Sequence, residues 1–296
     1  MTMDSDPFFQ ADGVTMKNRL GIKTPEVLRF AERELSNDRS ATVGAVEGHF
    51  DEQHLRDIHR HLFERIYEWA GTMRHDTIEL EGETIRVAEA AGVLSKGSTT
   101  FLPANYLDRG LAVVSDLANS ENAKSPDQDV FARAATQILS ELNHVHPFRD
   151  GNGRTQRAFI QQLAVRAGHE VSFRGVTTER NVAASIDAHQ GDTTAIGRII
   201  VENLGADCVE LRMKAVDDLD RAGYPVDEFW VETAQDGDRI SGMVITAENG
   251  YVSLADDSNR FIIVQGHGLP GETTVGRTLS FDYERVDDVA DASCTT

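Results

Sequence analysis

From Pro25 to Leu204 apolar residues recur mainly at three- and four-residue intervals, and from Tyr224 onward they recur at every second position. The first spacing is that of amphipathic helices, the second that of half-buried strands. Val27, Leu28, Ala31 and Leu35 mark a first helix, with Pro25 in its opening turn and Thr24 as its cap. Leu55, Ile58, Leu62, Ile66 and Trp69 form a stripe behind Asp51, a suitable N-cap. Another helix spans Tyr106 to Leu117. Phe131, Ala134, Ala135, Ile138 and Leu142 place the next, which delivers His146. Phe159, Ile160, Leu163 and Ala167 line its successor, which Gly168 can end. Two more fit Thr178–His189 and Thr193–Leu204, the latter capped by Asp192. One segment interrupts this helical series. Ile78, Leu80, Ile85 and Val87 alternate around Glu81-Gly82-Glu83, which predicts a hairpin with glycine in its turn. Residues 89–102 have no readable period. Five β-like runs follow at 228–233, 239–246, 251–255, 261–264 and 278–283, separated by glycine- and asparagine-bearing turns. Short strands so spaced suit a small barrel such as the OB-fold.

Between the fourth and fifth helical patterns lies His146-Pro147-Phe148-Arg149-Asp150-Gly151-Asn152-Gly153-Arg154-Thr155-Gln156-Arg157. Gly-Asn-Gly lets backbone N–H groups approach a ligand closely. Where such a turn opens a helix, its free N–H groups and dipole make a seat for anions. Arg154 and Arg157, three apart, leave one helix face beside that seat. Asp150 would repel phosphate unless a cation lay between, the arrangement typical of Mg²⁺ held by a carboxylate and substrate phosphates. Of the side-chain types histidine titrates nearest neutrality, so His146 is the natural general base. The plain alternative is a glycine turn with solvated arginines.

This stretch resembles the Fic family motif HxFx[DE]GNGRxxR at every defined position. Two further strings are similar to the family's: Met16–Lys23, and Tyr67-Glu68-Trp69-Ala70-Gly71. The resemblance implies a mainly α Fic fold with a β-hairpin flap, here followed by the OB-fold-like barrel. It implies a nucleotidyltransferase that moves AMP from ATP to a Tyr, Thr or Ser hydroxyl of a protein. His146 would be the base and Asp150 the Mg²⁺ ligand. The Gly151, Asn152 and Gly153 segment would hold the α-phosphate, with Arg154 at the β- and Arg157 at the γ-phosphate. The second glycine, Gly153, is lost in the Doc-type kinases, so its presence favours AMP transfer. The hairpin bearing Ile78, Leu80, Ile85 and Val87 falls where the family carries its flap, which docks a target by main-chain pairing. Ser95–Phe101 is a second candidate for that flap. UMP or phosphocholine transfer, AMP removal, and a silent protein-binding scaffold stand as alternatives.

Domain boundaries follow: a catalytic module over 1–206, a connecting helix over 207–223, the OB-like domain over 224–290 and a tail over 291–296. The order resembles secreted type IV effectors of the Bep type, which usually add a C-terminal secretion domain; none is read here. The formal charge of −20 argues against a partner bound by general phosphate electrostatics. Residues 207–296 hold 7 Lys+Arg and 19 Asp+Glu, which disfavours nucleic acid on the OB-like module. Two cysteines are too few and too dispersed for a disulfide framework. His54, His59 and His61 are not spaced to put two metal ligands on one helix face. No apolar run spans a bilayer and the acidic N-terminus lacks a signal-peptide layout, so the expectation is a cytoplasmic protein, secreted into a host if it is an effector.

Family members are often silenced by a helical [ST]xxxE[GN] glutamate that pairs with the second motif arginine. The one match here, Thr77–Gly82, falls in alternating sequence and is read as chance. The inhibitor is therefore expected in trans, from a small antitoxin-like protein.

Overall fold

The computed structural model describes residues 6–88, 94–96, 99–226, 229–248, 250–258, 260–266, 269 and 273–284. It divides into two compact units, Met1–Val171 with Ala184–Ile200, and Ser172–Ala183 with Val201–Thr296.

The first unit is helical. It contains α1 (Pro25–Ser40), α2 (Glu52–Phe63), α3 (Leu107–Asn119), α4 (Gln128–Val145) and α5 (Asn152–Ala167). The helix α6 (Thr178–His189) follows, and then α7 (Thr194–Glu202). Three of the stripes read from the sequence are buried: Leu55, Ile58 and Leu62 of α2, Phe131, Ala135, Ile138 and Leu142 of α4, Phe159, Ile160 and Leu163 of α5. Both α2 and α4 pack on α5 through these stripes. Each large side chain so buried is worth about 1.5–3 kcal/mol, so the helix that opens at the motif is held from two sides. On α1 the buried face is instead Leu28, Glu32 and Ser36, with Val27 exposed, because polar Glu32 is drawn inward by its partners Arg154 and Tyr67.

Helix ends follow local chemistry. Asp51 caps α2, its carboxylate accepting the His54 N–H at 2.9 Å, and Asp127 caps α4 through Val130 at the same distance. Thr24 occupies the N-cap of α1, but its hydroxyl makes no cap bond; only its carbonyl is used, accepting the Leu28 N–H at 2.9 Å. Pro25 leaves one fewer N–H to satisfy there. Gly168 ends α5 in the left-handed conformation, as its lack of Cβ allows.

The hairpin is formed by β1 (Thr77–Leu80) and β2 (Glu83–Arg86), with Ile78 opposite Ile85 and Leu80 opposite Glu83. Glu81 and Gly82 both have positive φ, +52° and +85°, the two-residue turn whose twist suits a hairpin. Two short strands, β3 (Ser95–Lys96) and β4 (Thr99–Thr100), pair after it. Residues 89–93 and 97–98 of the unreadable 89–102 stretch lie outside the described residues.

In the second unit α8 (Ala206–Arg221) lies against a sheet of β5 (Trp230–Thr233), β6 (Arg239–Glu248), β7 (Tyr251–Ala255), β8 (Arg260–Gln265) and β9 (Thr278–Asp282). Strand order is β5-β8-β7-β6-β9, antiparallel except for the parallel β5–β8 pair. The five strands of the expected OB-like module form one sheet, and among the described residues the edge strands β5 and β9 do not pair. A bulge between Val244 and Thr246 bends β6. Ala215, Val216 and Leu219 of α8 pack with Val231, Tyr251, Phe261 and Ile263 on one sheet face, and Ile240, Val252, Leu254, Val264 and Phe281 fill the other. Successive positions of β7 and β8 are therefore buried, on both faces of the sheet and not alternately. Buried Glu202 pairs with Arg180 at 2.8 Å and Arg212 at 3.4 Å in the same unit. Residues 291–296 lie outside the described residues.

Candidate active site

The motif is a turn between α4 and α5, locked by its own side chains. Asn152 is 3 % exposed, and its amide faces inward: Oδ1 accepts the Phe148 N–H and Nδ2 donates to the Phe148 carbonyl, both at 2.9 Å. Its side chain is therefore committed to loop shape, and what it offers a ligand is its N–H. Gln156 Nε2 donates to the Leu142 carbonyl at 3.0 Å, joining the two helices. Phe148 is buried, as the motif's apolar position predicts. Gly151 has φ +78°, and a Cβ there would lie 2.5 Å from Phe63 Cε2 and 3.1 Å from His59 Nε2. Only glycine fits both the conformation and the space.

His59 supports the loop from α2. Its Nδ1 accepts the Gly71 N–H at 2.8 Å, which leaves the proton on Nε2 to donate to the Asp150 carbonyl at 3.0 Å. The ring stacks on Phe148 at 4.0 Å between centroids. Burial lowers its pKa to about 3 from 6.5. The folded state keeps this ring neutral while the unfolded chain protonates below about pH 6.5, so the stabilisation is complete above that pH and is lost as pH falls toward 3. The expected slope is about 1.4 kcal/mol per pH unit. Urea melts of wild type and His59→Gln at pH 7 and pH 5 check it: the stability gap should narrow by about 2 kcal/mol, and an unchanged gap would remove His59 from this role.

The start of α5 has the chemistry to seat an anion. The N–H groups of Asn152, Gly153 and Arg154 have no intrahelical acceptor and point along the positive end of the dipole. The Gly151 N–H is already bonded to Asp150 Oδ1 at 2.6 Å. The two arginines differ in state. Arg154 pairs with Glu32 of α1, donates to Ser36 Oγ at 3.0 Å and lies 4.6 Å from the Phe63 ring centre. Glu32 also accepts the Tyr67 hydroxyl, whose pKa burial and then the Glu32 charge push up. Arg157 is half-buried, and among the described residues it has no hydrogen-bond or ion-pair partner. Its pKa is lowered to about 10, first by burial and then by the neighbouring Arg154 charge.

His146 and Asp150 frame the seat. His146 is half-buried, its ring stacked on Phe101 at 3.7 Å and 10°. Asp150 is exposed, and among the described residues no cationic side chain pairs with it. Of the hairpin positions, Leu80, Ile85 and Val87 are buried and Ile78 is half-buried. Their side chains hold the hairpin down, so what is left to a partner is the main chain of an edge strand. Glu81 is exposed and paired with Lys17 Nζ at 2.5 Å, in a tight turn and not on a helix.

Sequence reasoning missed Glu32, His59, Phe101 and Arg74. His59 and Glu32 sit on helix faces where a lone polar residue gives no signal of its partner 91 or 122 positions away. Arg74 follows the Trp69–Gly71 string, and Phe101 stands in the unreadable stretch.

The Fic/DOC family model matches residues 49–164. The protein adenylyltransferase VbhT of Bartonella schoenbuchensis is 31% identical over 68% of this chain and 39% of its own length. A protein adenylyltransferase of Bartonella henselae is 30% identical over 77% of this chain and 42% of its own. This chain thus spans well under half of each. The probable protein adenylyltransferase Fic of Escherichia coli is 31% identical over 66% of this chain and 90% of its own length. Among solved structures, the type IV secretion system effector protein BepA superposes with a TM-score of 0.85 at 25% identity, covering 95% of this chain and 97% of that one. BepC of Bartonella tribocorum, solved with bound AMPPNP, has a TM-score of 0.62 at 27% identity over 68% of this chain and 97% of its own. A Fic domain of Bartonella quintana solved with bound ADP gives 0.62 at 28% over 69% and 97%. With nine-tenths of the Escherichia coli relative spanned at 31% identity, and the whole family motif seated between α4 and α5, the chain belongs to the Fic/DOC family.

Proposed function

We propose that this chain is a protein adenylyltransferase, moving AMP from ATP to a Tyr, Thr or Ser hydroxyl of a protein. The observation that carries this is Arg157: a half-buried guanidinium without a counter-charge among the described residues, one helical turn from Arg154. An uncompensated cation is costly to hold out of water. A polyphosphate lying across the start of α5 supplies the missing charge, and the nucleotide-bound relatives support that placement.

In this reading the target's hydroxyl oxygen attacks the α-phosphorus and a new P–O bond forms. The bond from the α-phosphorus to the β-bridging oxygen breaks, its electron pair leaves on pyrophosphate, and His146 takes the hydroxyl proton. The N–H groups of Asn152 and Gly153 receive the α-phosphate, Arg154 the β-phosphate and Arg157 the γ-phosphate. Asp150 fits a divalent cation, being an exposed carboxylate that no cationic side chain neutralises among the described residues. Mg²⁺ held there would offset charge on the phosphates. The rest is positioning and charge stabilisation.

Incubation with Mg²⁺, cell lysate and ATP labelled at the α- or γ-phosphate tests the proposal. Bands labelled from α only, and lost with EDTA or Asp150→Ala, support it. Label from γ alone means phosphoryl transfer, label from UTP or CDP-choline another donor, loss of AMP from a prelabelled target removal, and no label a scaffold.

We assign catalysis to residues 1–206, a connection to 207–223, an OB-type module to 224–290 and a tail to 291–296. Five short strands of mixed direction suit a partly open OB barrel, and the acidity of this part favours a protein partner over nucleic acid. The likeness to BepA supports an effector made in a bacterial cytoplasm and translocated from it, and no described helix is long and apolar enough to cross a membrane. Inhibition comes in trans, from a small antitoxin-like protein whose glutamate engages Arg157. Glu81→Gly should accordingly leave auto-AMPylation within about twofold of wild type, since Glu81 is an exposed turn residue whose ion pair is worth at most ~1 kcal/mol. A large gain would place the inhibitor inside the chain.

A further inference from the structure

Two hydrogen bonds of one side chain converge on the backbone entering the motif, and a third reaches the segment packed beside it. Arg74 Nε donates to the His146 carbonyl at 2.8 Å, and a terminal nitrogen donates to the carbonyls of Val145 at 2.8 Å and Leu102 at 2.7 Å. Arg74 is 3 % exposed, and among the described residues no carboxylate pairs with it. Burial lowers its pKa to about 10, still far above neutrality, so it remains a cation. That cation stands at the C-terminus of α4, where the last carbonyls lack helical partners and the dipole is negative. Hydrogen bonds from a charged donor are about twice as strong as neutral ones.

The backbone it holds is a demanding one. His146 has φ +45°, a left-handed conformation that costs a non-glycine residue free energy and persists only where its surroundings over-determine it. The main chain of Arg74 adds to this: its N–H donates to the Pro147 carbonyl at 2.8 Å, and Met73 bridges to Phe148. The chain then enters β1 at Thr77. One residue therefore ties the base of the hairpin to the entry of the motif, by main chain and side chain together.

We propose that Arg74 is the positioning residue of His146: it fixes the backbone from which the imidazole meets the target hydroxyl, in register with the β1–β2 hairpin. This rests on the reading of His146 as the base. A purely structural arginine would contribute stability and leave the rate per folded molecule alone.

The test compares wild type, Arg74→Met and Arg74→Lys in the full chain. Four readings are taken: cooperative melting, AMPPNP binding, auto-transfer from α-labelled ATP, and the imidazole resonance of His146 in ¹⁵N-histidine protein, assigned with His146→Ala. Arg74→Met should bind AMPPNP within about threefold of wild type while its turnover falls about 100-fold, the scale of a 1 Å misplacement. Its His146 resonance should shift or broaden. Arg74→Lys keeps the charge but not the planar fork, and should fall between. Wild-type turnover per folded molecule with an unmoved resonance overturns the proposal; should Arg74→Met not fold, Arg74→Lys decides by the same two readings. If the wild type transfers no AMP, the adenylyltransferase reading fails, and the resonance alone still decides for or against Arg74.

Discussion

Replacing His146 with alanine is expected to lower AMP transfer by at least 10²–10⁴-fold, the range for loss of a general base, while ATP binding changes by less than about twofold. The two effects separate because of where the residues sit. The proposed nucleotide seat is built from α5: the N–H groups of Asn152, Gly153 and Arg154, and the guanidinium groups of Arg154 and Arg157. His146 belongs to the end of α4 and is oriented by Phe101 and the backbone around Val145. Single-turnover transfer with α-labelled ATP, set beside AMPPNP calorimetry, measures both. Near-normal transfer in the variant would take the base role away from His146, whereas lost nucleotide binding would show that the imidazole holds phosphate.

Gly151→Ala is expected to damage fold and activity together. The left-handed conformation costs a residue with a Cβ about 1–2 kcal/mol. The added methyl also meets the Phe63 ring edge at 2.5 Å and the His59 ring at 3.1 Å. Overpacking of that kind costs about 1–3 kcal/mol. Neither neighbour can retreat freely, since Phe63 is 1 % exposed and His59 is pinned at both ring nitrogens. A loss of about 2–5 kcal/mol in a urea melt is expected. Transfer should drop by more than 10²-fold in whatever fraction folds, because Gly151 separates Asp150 from the first free N–H of α5. A variant with wild-type stability would mean that the turn relaxes around the methyl, and that the motif's first glycine serves ligand approach alone.

Much of the molecule was decided by the sequence, and for identifiable reasons. The stripes at Leu55–Leu62, Phe131–Leu142 and Phe159–Leu163 have one period and one buried face, so their helices are local consequences of composition. Asp51, Asp127 and Gly168 set helix ends within a few residues of themselves. The hairpin turn needed only Glu81-Gly82, and the twelve motif residues fixed a site because their chemistry is contiguous. What only tertiary structure decided are relations over long separations. Whether five alternating runs close into a barrel depends on pairing of the edge strands, about which strand periodicity says nothing. Asn152 reads as a ligand residue, yet its amide folds back on Phe148 because the buried turn leaves that backbone without other partners. Arg154 and Arg157 are equivalent in the motif. Glu32, 122 positions away from Arg154, neutralises one and not the other, and that asymmetry exists only once α1 and α5 are brought together. His59 and Arg74 act through backbone carbonyls of distant residues. Such contacts leave no trace in local spacing, because a carbonyl is the same at every position of the chain.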